Sequence, residues 1–247
     1  DEIYRLAATF DKMLGQIEDS MKREKQFTSD VSHELRTPLS VILMQCDSLL
    51  SHDSLPDEIL EEITVIQRKA GGLSRMVSQL LLLSRADQGR EKVTMETLDF
   101  SGLSEMAAAE MAVMAEEKGI RLETNISPGV MVYGDETLLI RLWFNLLQNA
   151  VTYGKEGGCI YMSLQEEGEA VTGCVKDDGI GISAEDLPHI WERFYRADSS
   201  RNDVGSSGLG LSMVQWIINV HNGTIQAVSE PGRGSTFTFC LPKEKKS

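Results

Sequence analysis

His33 stands beside a carboxylate, Glu34, and shortly before a hydroxyl and a proline in the run Ser32-His33-Glu34-Leu35-Arg36-Thr37-Pro38-Leu39. A neutral imidazole, with an ordinary pKa of roughly 6.5, is a nucleophile near pH 7 without a costly deprotonation. Glu34 can hydrogen-bond the ring or take its proton. Thr37, one helical turn further on the same face, could orient a water. Pro38 removes the donor to the Glu34 carbonyl and crowds it, so a bend next to His33 is expected. A lone exposed histidine is more often an ordinary solvated side chain, and His33 needs support from elsewhere in the chain.

Four later segments supply it only when taken together. In Asp135 to Gly154, Asn145 and Asn149 lie one turn apart on an amphipathic helix, while Leu138, Leu142, Leu146 and Val151 are available for burial. Two amide oxygens at that spacing suit a hard cation such as Mg²⁺, which favours oxygen ligands together with phosphates; the plain alternative is surface or capping asparagine. Val175 to Ile182 ends a β-like run in Asp177-Asp178, followed by Gly179 and Gly181. A carboxylate at a strand end can accept from an amino group, and glycine permits close backbone approach; the same pattern also makes a tight turn. Glu192 to Arg196 gathers Arg193, Phe194, Tyr195 and Arg196, cations that could meet phosphates or simply stay solvated. Gly205 to Leu211 runs into a helix with Gly208, Leu209 and Gly210 at its start, where free amides favour an anion.

The elements that must carry these residues follow from periodicity. From Ile3, apolar residues climb two heptad rows, Ile3, Phe10, Ile17 and Val31 in one and Ala7, Leu14, Met21 and Leu35 in the other. The spacing predicts one helix over residues 2–50, with Val31 and Leu35 on the seam and His33 pointing outward. Glu24 and Thr28 interrupt the rows just before His33. After a polar turn at Ser51 to Asp57, a second ladder (Ile59, Ile63, Ile66, Ala70, Leu73, Val77, Leu80) predicts another long helix ending near Ala86 to Gly89. One apolar stripe per helix is too little to close a core, so two such hairpins should pair as a homodimeric four-helix bundle.

Past residue 90 the pattern changes. β-like runs at 93–100, 120–126, 160–166, 171–177, 224–229 and 236–241 alternate with helices near 101–118, 135–153 and 208–221. Such alternation predicts an α/β domain of two layers, helices on one face of a sheet. Residues 183–207 lack a period and read as a long loop of the kind that serves as a lid.

Composition narrows the classes. With 247 residues, 41% hydrophobic and 25% charged, the chain has ample material for two folded units. A net charge of −14 disfavours a nucleic-acid partner, which needs cations to neutralise phosphates. Four scattered cysteines without a CxxC pair suggest neither zinc nor a disulfide framework, and a cytoplasmic setting fits. No run is long enough to span a bilayer. The chain begins in mid-pattern, so a preceding segment is expected.

The run SHELRTPL resembles the H box of bacterial sensor histidine kinases, and the four later segments, in this order and spacing, resemble the N, G1, F and G2 boxes of their ATPase domain. Gly232 to Phe237 is similar to that domain's final strand turn, and the opening DEIYRLAATFDKML resembles the last helix of a HAMP signal-relay module. The resemblance implies a HAMP end over 1–22, a dimerisation and phosphotransfer domain over 23–89, and a Bergerat-type ATP-binding domain over 90–247. It implies His33 as phosphoacceptor, Glu34 as its acid/base partner and Thr37 as a phosphatase residue. Asn149 and Asn145 would serve Mg²⁺ and the phosphates, and Asp177 would read adenine. Tyr153, Gly179, Gly181, Phe194, Arg196, Gly208, Leu209 and Gly210 would lie about the ATP. A homodimer and a response-regulator receiver domain are the implied partners.

Thr152, Asp178 and Ser206 depart from the family's usual Lys, Asn and Gly. Two other readings are an ATPase of the wider Bergerat group, which the SHELRTPL hairpin opposes, and a catalytically weak nucleotide-binding scaffold.

Overall fold

A computed structural model describes residues 31–32, 34–51, 55–197 and 207–243. His33 itself, the heptad rows before Val31, and Ser206 lie outside the described residues. The chain divides into two compact units, Asp1–Lys92 and Val93–Ser247.

In the first unit, α1 (34–50) and α2 (Asp57–Asp87) are the two helices that the heptads predict. The helix α2 has Asp57 and Glu58 in its first turn and Arg85 in its last, each suited to the helix dipole. Gly89 ends it with φ +62° and an amide bond to the Ala86 carbonyl, while Arg90 N reaches back to Arg85 O, a Schellman-type stop. The two apolar rows have different fates. Leu39 and Cys46 on α1, with Ile63, Ala70 and Val77 on α2, are buried, all at heptad spacing. The other rows, Leu35, Ile42 and Leu49 on α1 and Ile59, Ile66 and Leu73 on α2, stay between 41% and 53% exposed. Asp47 Oδ1 accepts from Gln67 Nε2 at 2.6 Å across the hairpin.

The second unit opens with β1 (Glu96–Asp99), α3 (Phe100–Glu117), β2 (Arg121–Ile126), β3 (Met131–Gly134) and α4 (Glu136–Tyr153). It continues through β4 (Cys159–Glu167), β5 (Ala170–Asp177), α5 (Gly210–Val220), β6 (Thr224–Glu230) and β7 (Gly234–Pro242). The main sheet has the order β2-β4-β5-β7-β6, parallel at β2/β4 and antiparallel elsewhere; β1 and β3 form a separate antiparallel ribbon. Alternate residues of β4, β5 and β7 are buried beneath the helices, in the two-layer arrangement that the periodicity predicts. Phe100, Trp143 and Phe239 meet with ring centroids 5.0–6.3 Å apart at its centre. Gly173 sits mid-strand because a Cβ there would meet the Phe239 ring at 2.1 Å.

Two elements differ from the sequence expectation. The run expected as a strand over 93–100 is a strand from Glu96 to Asp99; it ends there because the Asp99 carboxylate accepts from Gly102 N and starts α3 at Phe100, and before it Thr94 N donates to the Asp135 carboxylate at 2.8 Å. The strand β3 was not foreseen. Its four residues lie between the Gly129 turn, with φ +71°, and the Asp135 cap, too few to show an alternation.

His221, 3% exposed, anchors the start of α4. Its Nδ1 donates to Ile217 O at 2.7 Å and its Nε2 accepts from Asp135 N at 3.0 Å, which only the neutral ring can do. Burial holds its pKa below the ordinary 6.5, against the opposing pull of the Ile217 carbonyl and Asp135. The unfolded chain therefore binds the proton first. The stability that His221 contributes is complete above pH 6.5 and is lost as the pH falls through that value toward the folded pKa. Chemical denaturation followed between neutral pH and pH 5 should show this decline. In His221→Leu the decline should shrink, and the starting stability should be about 1–3 kcal/mol lower because the Asp135 amide loses its acceptor.

Candidate functional site

The helix α4 is the rail of the site. Asp135 caps it by accepting from Leu138 N at 3.0 Å, and Leu138, Leu139, Leu142, Trp143, Leu146, Leu147, Ala150 and Val151 are buried along one side. At its other end Lys118 Nζ donates to the Val151 carbonyl at 3.2 Å, meeting one of the orphan acceptors of the last turn. The side away from the core carries Asn145, Asn149 and Tyr153, all half-buried. Asn145 Nδ2 donates to Arg141 O at 2.7 Å, which turns its Oδ1 toward the start of α5. A Cβ on Gly210 would lie 3.2 Å from that oxygen, so the two helices approach closely there. The first turn of α5 has no side-chain cap, and its amides remain available to an anion. The Asn145 oxygen and these amides together suit a metal-bound phosphate, the first contributing to a hard cation and the second to its anion. Two amide oxygens fall short of the six ligands Mg²⁺ prefers, so phosphate and water would supply the rest.

Eight residues separate Asn145 from Tyr153, about 12 Å along α4 at 1.5 Å per residue. At that end three segments are knotted together. Ile180 N donates to the Tyr153 carbonyl at 3.1 Å, and Gly232 N donates to Ile180 O at 2.7 Å. A Cβ on Gly179 would stand 2.2 Å from the Tyr153 oxygen, and Gly181, with φ +70°, would clash with Glu230 O. Glycine is required at both positions for the loop to pass. Lys155 Nζ adds a bond to Gly232 O at 2.9 Å.

Inside this knot lies Asp177, 5% exposed. Its Oδ1 accepts from Gly179 N at 2.9 Å and from Ser235 N at 3.3 Å. Burial pushes its carboxyl above the usual carboxylate range, while these two amides pull it back and the neighbouring Asp178 adds to the rise. With Oδ1 held by the chain itself, Oδ2 is the oxygen left to read a donor. Asp178 faces another way, accepting from Cys159 N at 3.2 Å at the start of β4, a role an asparagine oxygen would fill equally. Thr152 takes a bond from Gln148 Nε2 at 3.3 Å along the helix surface.

Phe194, with φ +63°, donates its amide to Gly208 O at 2.9 Å, and Gly208, with φ +67°, leaves room for the Phe194 backbone. The two ends of the 195–207 connection are thus clipped together. Leu209 is fully buried. Tyr195 donates its hydroxyl to the Asp186 carboxylate, and Arg196 is half-buried nearby in sequence.

The fold therefore gathers Tyr153, Asp177, Gly179 and Gly181 in one knot, Asn145 with Gly210 in a second contact, and Phe194 with Gly208 in a third. Glu34 and Thr37 lie on α1 in the other unit, exposed. Ser229 and Ser235 both hold the knot; Ser235 falls within the Gly232 to Phe237 run, whereas Ser229 carries no sequence signal, since a serine in a strand breaks no pattern. A concavity of about 620 Å³ lies at the opposite ends of β4 and β5 from Asp177 and is edged by Glu167, Glu169 and Lys243.

Two family models match the chain. One described as "Histidine kinase-, DNA gyrase B-, and HSP90-like ATPase" takes in residues 134–245, and one described as "His Kinase A (phospho-acceptor) domain" takes in residues 23–89. The chain is 32% identical over 246 residues to signal transduction histidine-protein kinase BaeS of Escherichia coli (strain K12), covering 99% of the chain and 52% of that protein. It is 35% identical over 243 residues to sensor histidine kinase YkoH of Bacillus subtilis (strain 168), covering 97% and 52%. It thus spans about half the length of these relatives. Full-length ShkA in complex with AMPPNP has a similar structure, with a TM-score of 0.74 at 25% identity over 90% of this chain and 46% of that one.

Proposed function

The chain belongs to the sensor histidine kinases, and we propose that it moves the γ-phosphoryl group of Mg·ATP onto His33 and passes it on to an aspartate of a response-regulator receiver domain. The observation that supports this most is the buried Asp177, whose one oxygen is fixed by two amides while the other is left to accept from an adenine amino group. ATP would lie along α4, its adenine at Asp177 and its phosphates toward Asn145, Asn149 and the uncapped start of α5. Tyr153, Gly179 and Gly181 would wall the base, and Phe194, Arg196, Gly208, Leu209 and Gly210 would close over the phosphates.

A neutral His33 nitrogen would attack the γ-phosphorus in line; an N–P bond forms, the bond to the bridging oxygen breaks, and ADP leaves. Glu34 would hold or take the proton of the other ring nitrogen. Asn145 and Asn149 would hold Mg²⁺, whose charge stabilises the transferring group when it is bound. Thr37 would orient water for the reverse, dephosphorylating reaction.

Further parts of the proposal follow from the same reading. Residues 1–22 are the end of a HAMP helix, 23–89 the phosphotransfer domain and 90–247 the catalytic domain. The exposed heptad rows of α1 and α2 cover one another in a homodimeric four-helix bundle. Among the described residues no helix is long and apolar enough to cross a membrane; the fragment is cytoplasmic in this proposal, and the longer protein is anchored in the cell membrane.

Incubation with Mg·ATP labelled either on the γ- or on the α-phosphate tests the reaction. Label from the γ position alone should remain on the protein through denaturation. Absence of γ-label, or retention of α-label, would contradict the proposal.

A further inference from the structure

Ser229 is the most connected hydroxyl near the site. It lies on β6 opposite Ser235 of β7, immediately before the turn that crosses over the end of β5. Its Oγ accepts from Ile182 N at 2.8 Å and donates to Gly234 O at 2.8 Å. It also lies 3.0 Å from Ser235 Oγ. A hydroxyl has one proton and two lone pairs. The Ser229 proton is committed to Gly234, so Ser235 must be the donor between the two serines, and Ser229 is then saturated. One atom thereby fixes the loop after Asp177, through Ile182, and the first two residues of β7, through Gly234 and Ser235.

The consequence reaches Asp177. Its Oδ1 is held by Gly179 N from the loop side and Ser235 N from the β7 side, the two segments that Ser229 joins. Gly234 packs directly on the Asp177 backbone, so closely that a Cβ there would lie 2.0 Å from the Asp177 carbonyl oxygen. We infer that Ser229 is a positioning residue for nucleotide selection: through Ile182, Gly234 and Ser235 it sets the direction of the Asp177 carboxylate, and with it the preference for a base bearing an amino group. The inference rests on the reading of Asp177 as the adenine-selecting group.

Inosine triphosphate, which carries an oxo group where ATP carries the amino group, separates selection from general binding. Dissociation constants for both nucleotides are measured on the full chain and on three variants. Ser229→Ala should weaken ATP about tenfold while changing inosine triphosphate by less than about twofold, the cost of a displaced hydrogen-bond partner falling only on the ligand that uses it. Ser229→Cys keeps the size with a far weaker hydrogen-bonding group and should show the same narrowing, which covers the case in which the alanine variant does not fold. Ser229→Thr, which keeps the hydroxyl, should retain the wild-type ratio. Equal weakening of both nucleotides, or an unchanged ratio in the alanine and cysteine variants, overturns the role and leaves Ser229 a stabilising residue. If the unsubstituted chain itself does not distinguish the two nucleotides, it is the reading of Asp177 that fails.

Discussion

His33→Gln should take no phosphoryl group from Mg·ATP, while its affinity for the nucleotide should stay within about twofold of the unsubstituted chain, as for independent sites. Glutamine is tolerated in a helix and is close to histidine in reach, but its amide nitrogen has no available lone pair. The nucleophile is removed and little else changes. The residues proposed to hold ATP belong to the other compact unit, Val93–Ser247. Quenched time courses with γ-labelled ATP, run beside a binding isotherm on the same preparation, read the two effects apart. Residual labelling of the variant would move the acceptor to another side chain.

Asp177→Asn should bind ATP at least about 100-fold more weakly and yet fold, because a site built to accept a ligand's hydrogen loses that bond and incurs the desolvation cost of the unmatched groups. The geometry explains why both halves hold. An asparagine can keep its carbonyl oxygen toward Gly179 N and Ser235 N, the bonds that Asp177 Oδ1 makes now. Its NH2 then occupies the position of Oδ2 and presents a donor to the adenine amino group, which is also a donor. The fold gives up nothing at neutral pH, since burial already raises the Asp177 carboxyl against ionisation and the amide removes that cost. Linkage supplies a check. A folded pKa above the unfolded value means that the native state binds the proton first, so this group's contribution is largest at acidic pH and falls as the pH rises through the folded pKa. Asp177→Asn should lack that part of the fall. Calorimetric titration with ATP and denaturation of the same variant test both halves, and loss of folding together with binding would count against the assignment.

Periodicity carried much of this architecture, and its failures have physical causes. The heptads of α1 and α2 are legible because Ile63, Ala70 and Val77 repeat at seven residues. Which row a single chain buries is not legible, since Ile59, Ile66 and Leu73 are equally apolar in sequence and remain exposed. The end of β1 was missed because a side-chain cap at Asp99 overrides a β-like composition, and β3 because four residues hold no period. At the site, Gly179 and Gly181 could be singled out since their close approaches admit no side chain. Asn145 could be singled out by its spacing from Asn149, but not the bond to Arg141 O that aims its oxygen. Ser235 lies in the legible Gly232 to Phe237 run, but its bond to Asp177 and the bond of Ser229 to Ile182 are long-range contacts that no local pattern encodes. The type and neighbours of His33 are legible in sequence, and its position lies outside the described residues.

A phosphoryl group on the His33 imidazole can be located by mapping the phosphate with mass spectrometry. After incubation with Mg·ATP and denaturation at alkaline pH, trypsin cleavage at Lys25 and Arg36 releases Gln26 to Arg36, in which His33 is the only histidine. The phosphate is expected on that peptide, stable to alkali and lost in mild acid as an N–P bond is. An acid-stable phosphate on a serine or threonine, or ATP hydrolysis with no phosphate on this peptide, would contradict it.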